Sequence, residues 1–248
     1  MTEHLQGDGL TKREMKRQQK IYKQQKRERS AVLNKAIMWV VAILVVGVVV
    51  VGLAKLLGPA FTQTPLPDDF EVGTVLADDW VKGNRNAEVV LIEYADFQCP
   101  ACASYFPIVQ RLNAELGDKI AFVFRHFPLR SIHPNAEPSA RAAEAAGRQG
   151  KFFEMHDMIF AKQHEWSRLP RAAGTFEDYA EELGLDMDQY EKDVNSQEVI
   201  NRVNRDVLGG RAAGVNGTPT FFLNGQQITN PRSYDEFKAL IESALQNS

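Results

Sequence analysis

Cysteine is nearly absent: the 248 residues hold two, both within Cys99-Pro100-Ala101-Cys102. Two cysteines exclude a disulfide scaffold, and a bond between them would close so short a loop that it adds little stability. Chemistry is the better reason for the pair, although two inert thiols or half of a metal site share this spacing. Metal finds no further sequence support and none is expected. His126 and His133 make no tight four-ligand spacing with the cysteines, their neighbours Pro128 and Pro134 suit loops, and scattered Asp and Glu do not build a calcium site. A Gly-rich phosphate loop and an internal repeat are also missing. Trp80 and Trp166 read as packing residues rather than cofactor contacts.

Charge is absent from Ala36 to Ala54, nineteen residues in a chain whose charged residues make up 25%. At 1.5 Å rise per residue this run matches a bilayer core of about 30 Å, and it is read as a transmembrane helix over residues 36–57. A cleaved signal peptide or a buried core helix are the alternatives. Lys55-Leu56-Leu57-Gly58-Pro59-Ala60 lacks a clean small-x-small cleavage triplet, so an uncleaved signal-anchor is expected. Residues 1–35 carry ten Lys/Arg against four Asp/Glu, a net of +6 in a chain of net −3. Only Lys55 follows the span closely. By the positive-inside bias the N-terminal tail is cytoplasmic and everything beyond residue 55 faces outward, as a single-pass cell-membrane protein. Beyond Tyr22 the basic tail has no interleaved aromatics, and no nucleic-acid partner is expected. Outside the membrane disulfides are permitted, and a lone close-set pair there suits dithiol exchange.

Residues 58–78, with Gly58, Pro59, Pro65 and Pro67, read as a tether, and a folded domain is expected over residues 79–248. Val89–Ala95 is a short apolar run of strand type, with Glu93 out of place in it. Phe106, Val109, Leu112 and Leu116 recur at helical spacing up to Gly117, and Pro100 suits a first helical turn, which puts Cys99 at a helix N-terminus. A strand over Ile120–Phe124 completes a strand, helix, strand unit expected to pair in parallel. Helices follow over 136–147, through Phe152–Phe160, and over 176–183, 187–194 and 198–208. Thr175 precedes the third of these, Gly184 follows it, and Asp186 with Gln189 caps the fourth. Thr220–Leu223, the hairpin signal Asn224-Gly225 and Gln226–Thr229 return to strand character. Ser233 with Glu236 opens a last helix ending near Leu245. The fold class is α/β: a mixed sheet with packed helices.

Three segments in order, LIEYADFQCPAC (91–102), FRHFPL (124–129) and GVNGTPTFFLNG (214–225), resemble the thioredoxin superfamily, and within it the DsbA-like thiol-disulfide oxidoreductases that carry a helical insertion. The resemblance covers residues 79 to 245 and implies a thioredoxin-like sheet with an inserted helical block near 131–213. It also implies a redox-active Cys99–Cys102 disulfide with no other cofactor, a cis-proline loop at Thr218-Pro219 facing the dithiol, and Glu93 as a buried acid that moves protons to and from the resolving thiol. A strand-end Glu93 reaching solvent is the plainer alternative. Cys99 at the helix N-terminus is expected to be the reactive thiolate and Cys102 the resolving thiol. Gln98, Pro100, Ala101, Thr218 and Pro219 are expected at the substrate-binding surface, with Phe97 in the core. The function expected is a membrane-tethered oxidase that passes its disulfide to cysteine-containing exported proteins and is reoxidised by a membrane redox partner. A reductase or isomerase, and a non-enzymatic peptide-binding or chaperone module, are the alternatives.

Overall fold

The computed structural model describes residues 38–49, 52, 66 and 70–247, and the chain divides into two compact units, residues 1–61 and 62–248. In the first unit residues 38–49 form helix α1, inside the expected span. The rest of that span except Gly52, and the basic tail, lie outside the described residues. Among the described residues no helix is long and apolar enough to cross a membrane.

The second unit is built on five strands: β1 (Trp80–Gly83), β2 (Val89–Ala95), β3 (Ile120–His126), β4 (Thr220–Leu223) and β5 (Gln226–Gln227). Their spatial order is β1-β3-β2-β4-β5. Helix α2 (Pro100–Leu116) crosses between β2 and β3, which pair in parallel from Val89 opposite Ile120 to Ala95 opposite His126. The other pairings are antiparallel, so the sheet is mixed. Helices α3 (Ala136–Gly147), α4 (Phe152–Ala161), α5 (Gln163–Trp166), α6 (Ala173–Glu182), α7 (Met187–Val194) and α8 (Gln197–Ala212) fill the chain between β3 and β4, and α9 (Tyr234–Gln246) closes it.

The alternation of β2 decides what each face buries. Val89, Leu91 and Ala95 join the larger apolar cluster with Ile120, Phe122 and Phe124, while Ile92 and Tyr94 join a second cluster with Val123 and Phe222. Glu93 follows the parity of Leu91 and Ala95, so the strand aims its carboxyl into the larger core. Helix α2 meets that core through Cys102, Val109, Leu112 and Leu116.

Several boundaries differ from expectation. β1 has no apolar alternation to announce it. Trp80 holds it in place, stacking on Phe152 at 4.4 Å and donating from Nε1 to Glu144 at 2.7 Å. The end of the stretch expected as a tether belongs to the fold: Val72 and Val75 pack on the second cluster, and a Cβ on Gly73 would stand 2.7 Å from the Gly225 backbone. Thr175 does not cap α6, because Ala172 is buried and its N–H donates to Asn135, so the helix starts at Ala173. Helix α8 runs on through Gly209 and Gly210, whose missing side chains admit the rings of Phe70 and Phe127. Asp186 and Ser233 cap α7 and α9, and Ser196, unremarked in the sequence, caps α8. Asn224 and Gly225 both take positive φ, as a tight hairpin turn requires, but β5 stops at Gln227.

Candidate active site

Cys99 is the N-cap of α2, with extended backbone and Pro100 in the first turn. Cys102 lies one turn further, on the stripe of the helix that faces the core. Both are thiols. Cys99 keeps 6% of its surface exposed and Cys102 none, so of the two sulfurs only that of Cys99 is open to the outside, next to exposed Pro100 and Ala101. Across from it the Thr218-Pro219 bond is cis, and Cys99 Sγ lies 3.3 Å from the Thr218 carbonyl. Asn230 anchors that loop by donating to the Pro219 carbonyl at 2.8 Å.

The two sulfurs are held in opposite protonation states. A hydrogen bond from the Cys102 thiol, one from the Thr218 hydroxyl and the backbone N–H groups of Cys102 and Ala101 together lower Cys99 from 9.0 to about 5, against the opposing effect of burial. The buried Thr218 hydroxyl has no partner beside the neutral thiol, which leaves it free for the thiolate. Burial, followed by the bond it gives Cys99 and the charges of Cys99 and Glu93, pushes Cys102 well up. Glu93, 3% exposed, is raised from 4.5 to about 8, mainly by burial and secondarily by the Cys99 charge. It does not reach solvent. The core therefore holds a carboxyl that is protonated near neutral pH together with a buried Cys102 thiol that gives up its proton reluctantly.

Gln98 is corrected. It is not on the rim: its side chain turns inward, donating to the Ser167 carbonyl at 2.7 Å and accepting from the Asn135 N–H at 2.6 Å. This ties the end of β2 to the helical block. Phe97 is buried, stacked at 5.2 Å on Phe124.

Two supporting residues were not singled out in the sequence. Asp96 accepts from the N–H groups of Gln98 (2.7 Å) and Leu129 (2.9 Å) and from His133 Nδ1 (2.7 Å), while its carbonyl takes the Cys99 N–H. Gln163, on α5, donates to the carbonyls of Phe97 (2.7 Å) and Cys99 (3.0 Å). Together they fix the turn that presents Cys99. A polar residue directly after an apolar strand was the signal for Asp96; Gln163 had none.

Among the described residues His126, Glu144 and Asp206 bring metal-type ligand atoms within 4.8 Å of one another. His126 Nε2 is already bonded to Glu144 at 2.9 Å, and the Arg202 guanidinium pairs with Asp206 and approaches Glu144. That arginine supplies the positive charge the carboxylates need. His133 is held by Asp96, so neither histidine is free for the cysteines.

A family model described as thioredoxin matches residues 76–243. Similar curated proteins include Na(+)/H(+) antiporter NhaA 3 of Salinispora tropica, 40% identical over 167 residues, which is 67% of this chain and 25% of that protein. Na(+)/H(+) antiporter NhaA 1 of Mycolicibacterium vanbaalenii is 41% identical over 157 residues, 62% of this chain and 24% of that protein. The chain thus spans about a quarter of the length of these curated relatives. Among solved structures, a thioredoxin-like oxidoreductase from Silicibacter pomeroyi aligns at TM-score 0.59 and 25% identity, over 70% of this chain and 95% of that one. Alpha-DsbA1 of Wolbachia pipientis aligns at 0.63 and 20% identity over 70% and 94% of the two chains. BdbD of Bacillus subtilis aligns at 0.59 and 23% identity, over 67% and 92%. The last two likenesses show a shared fold.

Proposed function

Because the chain belongs to the thioredoxin family, we propose that it is a thiol-disulfide oxidoreductase, and that it works as an oxidase, giving the Cys99–Cys102 disulfide to cysteine-containing exported proteins. The observation that carries this is the asymmetry of the dithiol: an accessible Cys99 lowered to about 5 beside a buried Cys102 pushed up. A thiolate stabilised in the dithiol form favours reduction of the enzyme's own disulfide, and so transfer of that disulfide to a substrate. The substrate thiolate attacks Cys99, Cys102 leaves, and Glu93 supplies its proton. Pro100, Ala101 and the Thr218-Pro219 loop form the surface around Cys99 on which an extended substrate lies. The redox-active disulfide is the only cofactor in this reading, and a membrane redox partner restores it.

The charge-free run at 36–54 and the basic residues before it support a single membrane anchor, N-terminus in the cytoplasm and catalytic domain outside. The reading takes nothing from the antiporter name, since the chain spans only a quarter of those proteins.

The test is the reduction potential of the dithiol, with trapping of its state in cells. An oxidase is expected nearer −120 mV and mostly oxidised; a value near −270 mV with reduced thiols would refute the direction and favour a reductase. Absence of any exchange would refute the enzymatic reading altogether.

A further inference from the structure

We propose that His156 carries protons between Glu93 and solvent, through one water held in a cavity that both residues line. The inference rests on the disulfide-exchange reading and deepens it. Against the sheet face that bears Glu93 lies a cavity of about 10 Å³, lined by Glu93, Asn113, His156, Asp157 and Lys82 among phenylalanine rings. That volume is near the least that holds a water molecule.

Two of its lining side chains have a buried polar atom without a hydrogen-bond partner: Asn113 Oδ1, from α2, and His156 Nε2, from α4. His156 Nδ1 lies 2.8 Å from the Asp157 carboxylate. A carboxylate there requires the proton on Nδ1, so Nε2 of the neutral ring is an acceptor. One water that donates to Asn113 Oδ1 and His156 Nε2 and accepts from the protonated Glu93 carboxyl satisfies all three. Glu93 and His156 also flank one phenylalanine: Phe124 is the register partner of Glu93 and its ring lies 4.7 Å from that of His156. The charged or titratable groups around His156 are Asp157 on its own helix, Lys82 of β1, 3.1 Å from Asp157, Glu93 of β2 and His126 of β3. Asp157 is 30% exposed and forms the solvent end.

When the Cys102 sulfur attacks a mixed disulfide at Cys99, the Cys99–Cys102 bond forms, the bond from Cys99 to the partner sulfur breaks, and the partner leaves as a thiolate. Glu93, protonated at the outset, hands its proton through the water to Nε2, the imidazolium, held by Asp157, releases a proton to solvent, and the carboxylate so formed takes the Cys102 proton. Opening of the disulfide by a substrate thiolate runs the same path inward.

The full chain, reduced and mixed with 5,5′-dithiobis(2-nitrobenzoate), releases one thionitrobenzoate as Cys99 attacks and a second as Cys102 resolves. In His156→Gln the first release is expected unchanged. The second should slow at least about tenfold at pH 7, less than the ~10²–10⁴ of a complete acid–base group because Glu93 stays in place. Its solvent deuterium isotope effect should rise, a readout that altered packing does not move. Asp157→Asn, near the surface, is expected to slow the same phase about threefold, since the imidazolium loses its charged partner, and it decides the question if the His156 variant does not fold. An unchanged second phase and isotope effect in a folded His156→Gln, or in Asp157→Asn when that variant decides, overturns the proton route alone. Failure of the unaltered chain to release the second thionitrobenzoate refutes disulfide exchange itself, and the route with it.

Discussion

Glu93 is expected to make the dithiol form less stable as pH rises, and its replacement by Gln should remove that dependence. Its folded pKa of about 8 lies above the ordinary 4.5, so between those values the folded chain binds one proton more than the unfolded chain. Unfolding free energy then falls by about 1.4 kcal/mol per pH unit across that window. The loss is absent below about pH 4.5, reaches about 3 kcal/mol at pH 7 and levels off near pH 8, a large share of the ~5–15 kcal/mol that a domain has in all. Cys99 acts in the opposite sense. Lowered to about 5 from 9.0, it adds stability that is present in full above about pH 9 and is lost as pH falls toward 5, so the two slopes offset each other in the unaltered chain. Subtracting the unaltered chain from Glu93→Gln removes the Cys99 contribution, and comparing that difference between two pH values removes any pH-independent cost of burying an amide. The assay is urea unfolding of the reduced chain from pH 4.5 to 8.5. With a urea m-value of about 2 kcal/mol/M, the midpoint difference should shift in favour of Glu93→Gln by about 1.5 M between pH 4.5 and pH 7. In a Cys99→Ser background the shift should shrink, because the thiolate charge is the second cause of the raised carboxyl. A pH-independent midpoint difference would refute a Glu93 that is neutral when folded.

Thr218→Val removes the hydroxyl available to the thiolate. The pH midpoint of Cys99 alkylation should rise by about one unit, since a hydrogen bond to a charged group is worth ~1.5–3 kcal/mol. Cys102→Ser leaves mixed disulfides unresolved, so adducts through Cys99 should accumulate on non-reducing gels and vanish in Cys99→Ser. Asp79→Asn strands the buried Arg125, whose Nη2 lies 2.7 Å from Asp79. A loss of about 3–5 kcal/mol by urea unfolding is expected, with Cys99 alkylation unchanged.

The strand, helix, strand unit was legible because each of its signals is local. Six apolar residues in the seven of β2, a period near 3.6 through Val109, Leu112 and Leu116, and Pro100 at a helix start all sit within thirty residues of one another. The same locality set the place of the cysteines, Cys99 at a helix N-terminus and Cys102 one turn inside. β1 was hidden because it is held by contacts distant in sequence, Trp80 on Phe152 and on Glu144. The start of α6 was misplaced for the same kind of reason, with Asn135 anchoring Ala172 across 37 residues.

Gln98 shows why the surroundings of the site could not be read the same way. Its polarity and its place beside Cys99 point to a substrate-facing rim, and both are true of a residue that turns the other way. What decides its direction is an obligation of the backbone: buried carbonyls and N–H groups must find partners. The Ser167 carbonyl and the Asn135 N–H find theirs in Gln98, and the carbonyls of Phe97 and Cys99 find theirs in Gln163. A sequence states that these groups exist but not which side chain reaches them, and a four-residue helix such as α5 has too little period to be recognised. The helical block therefore does more than cover the sheet. It supplies the donors that hold the reactive turn of β2 in place, and through His156 it supplies the one imidazole that lines the same cavity as Glu93.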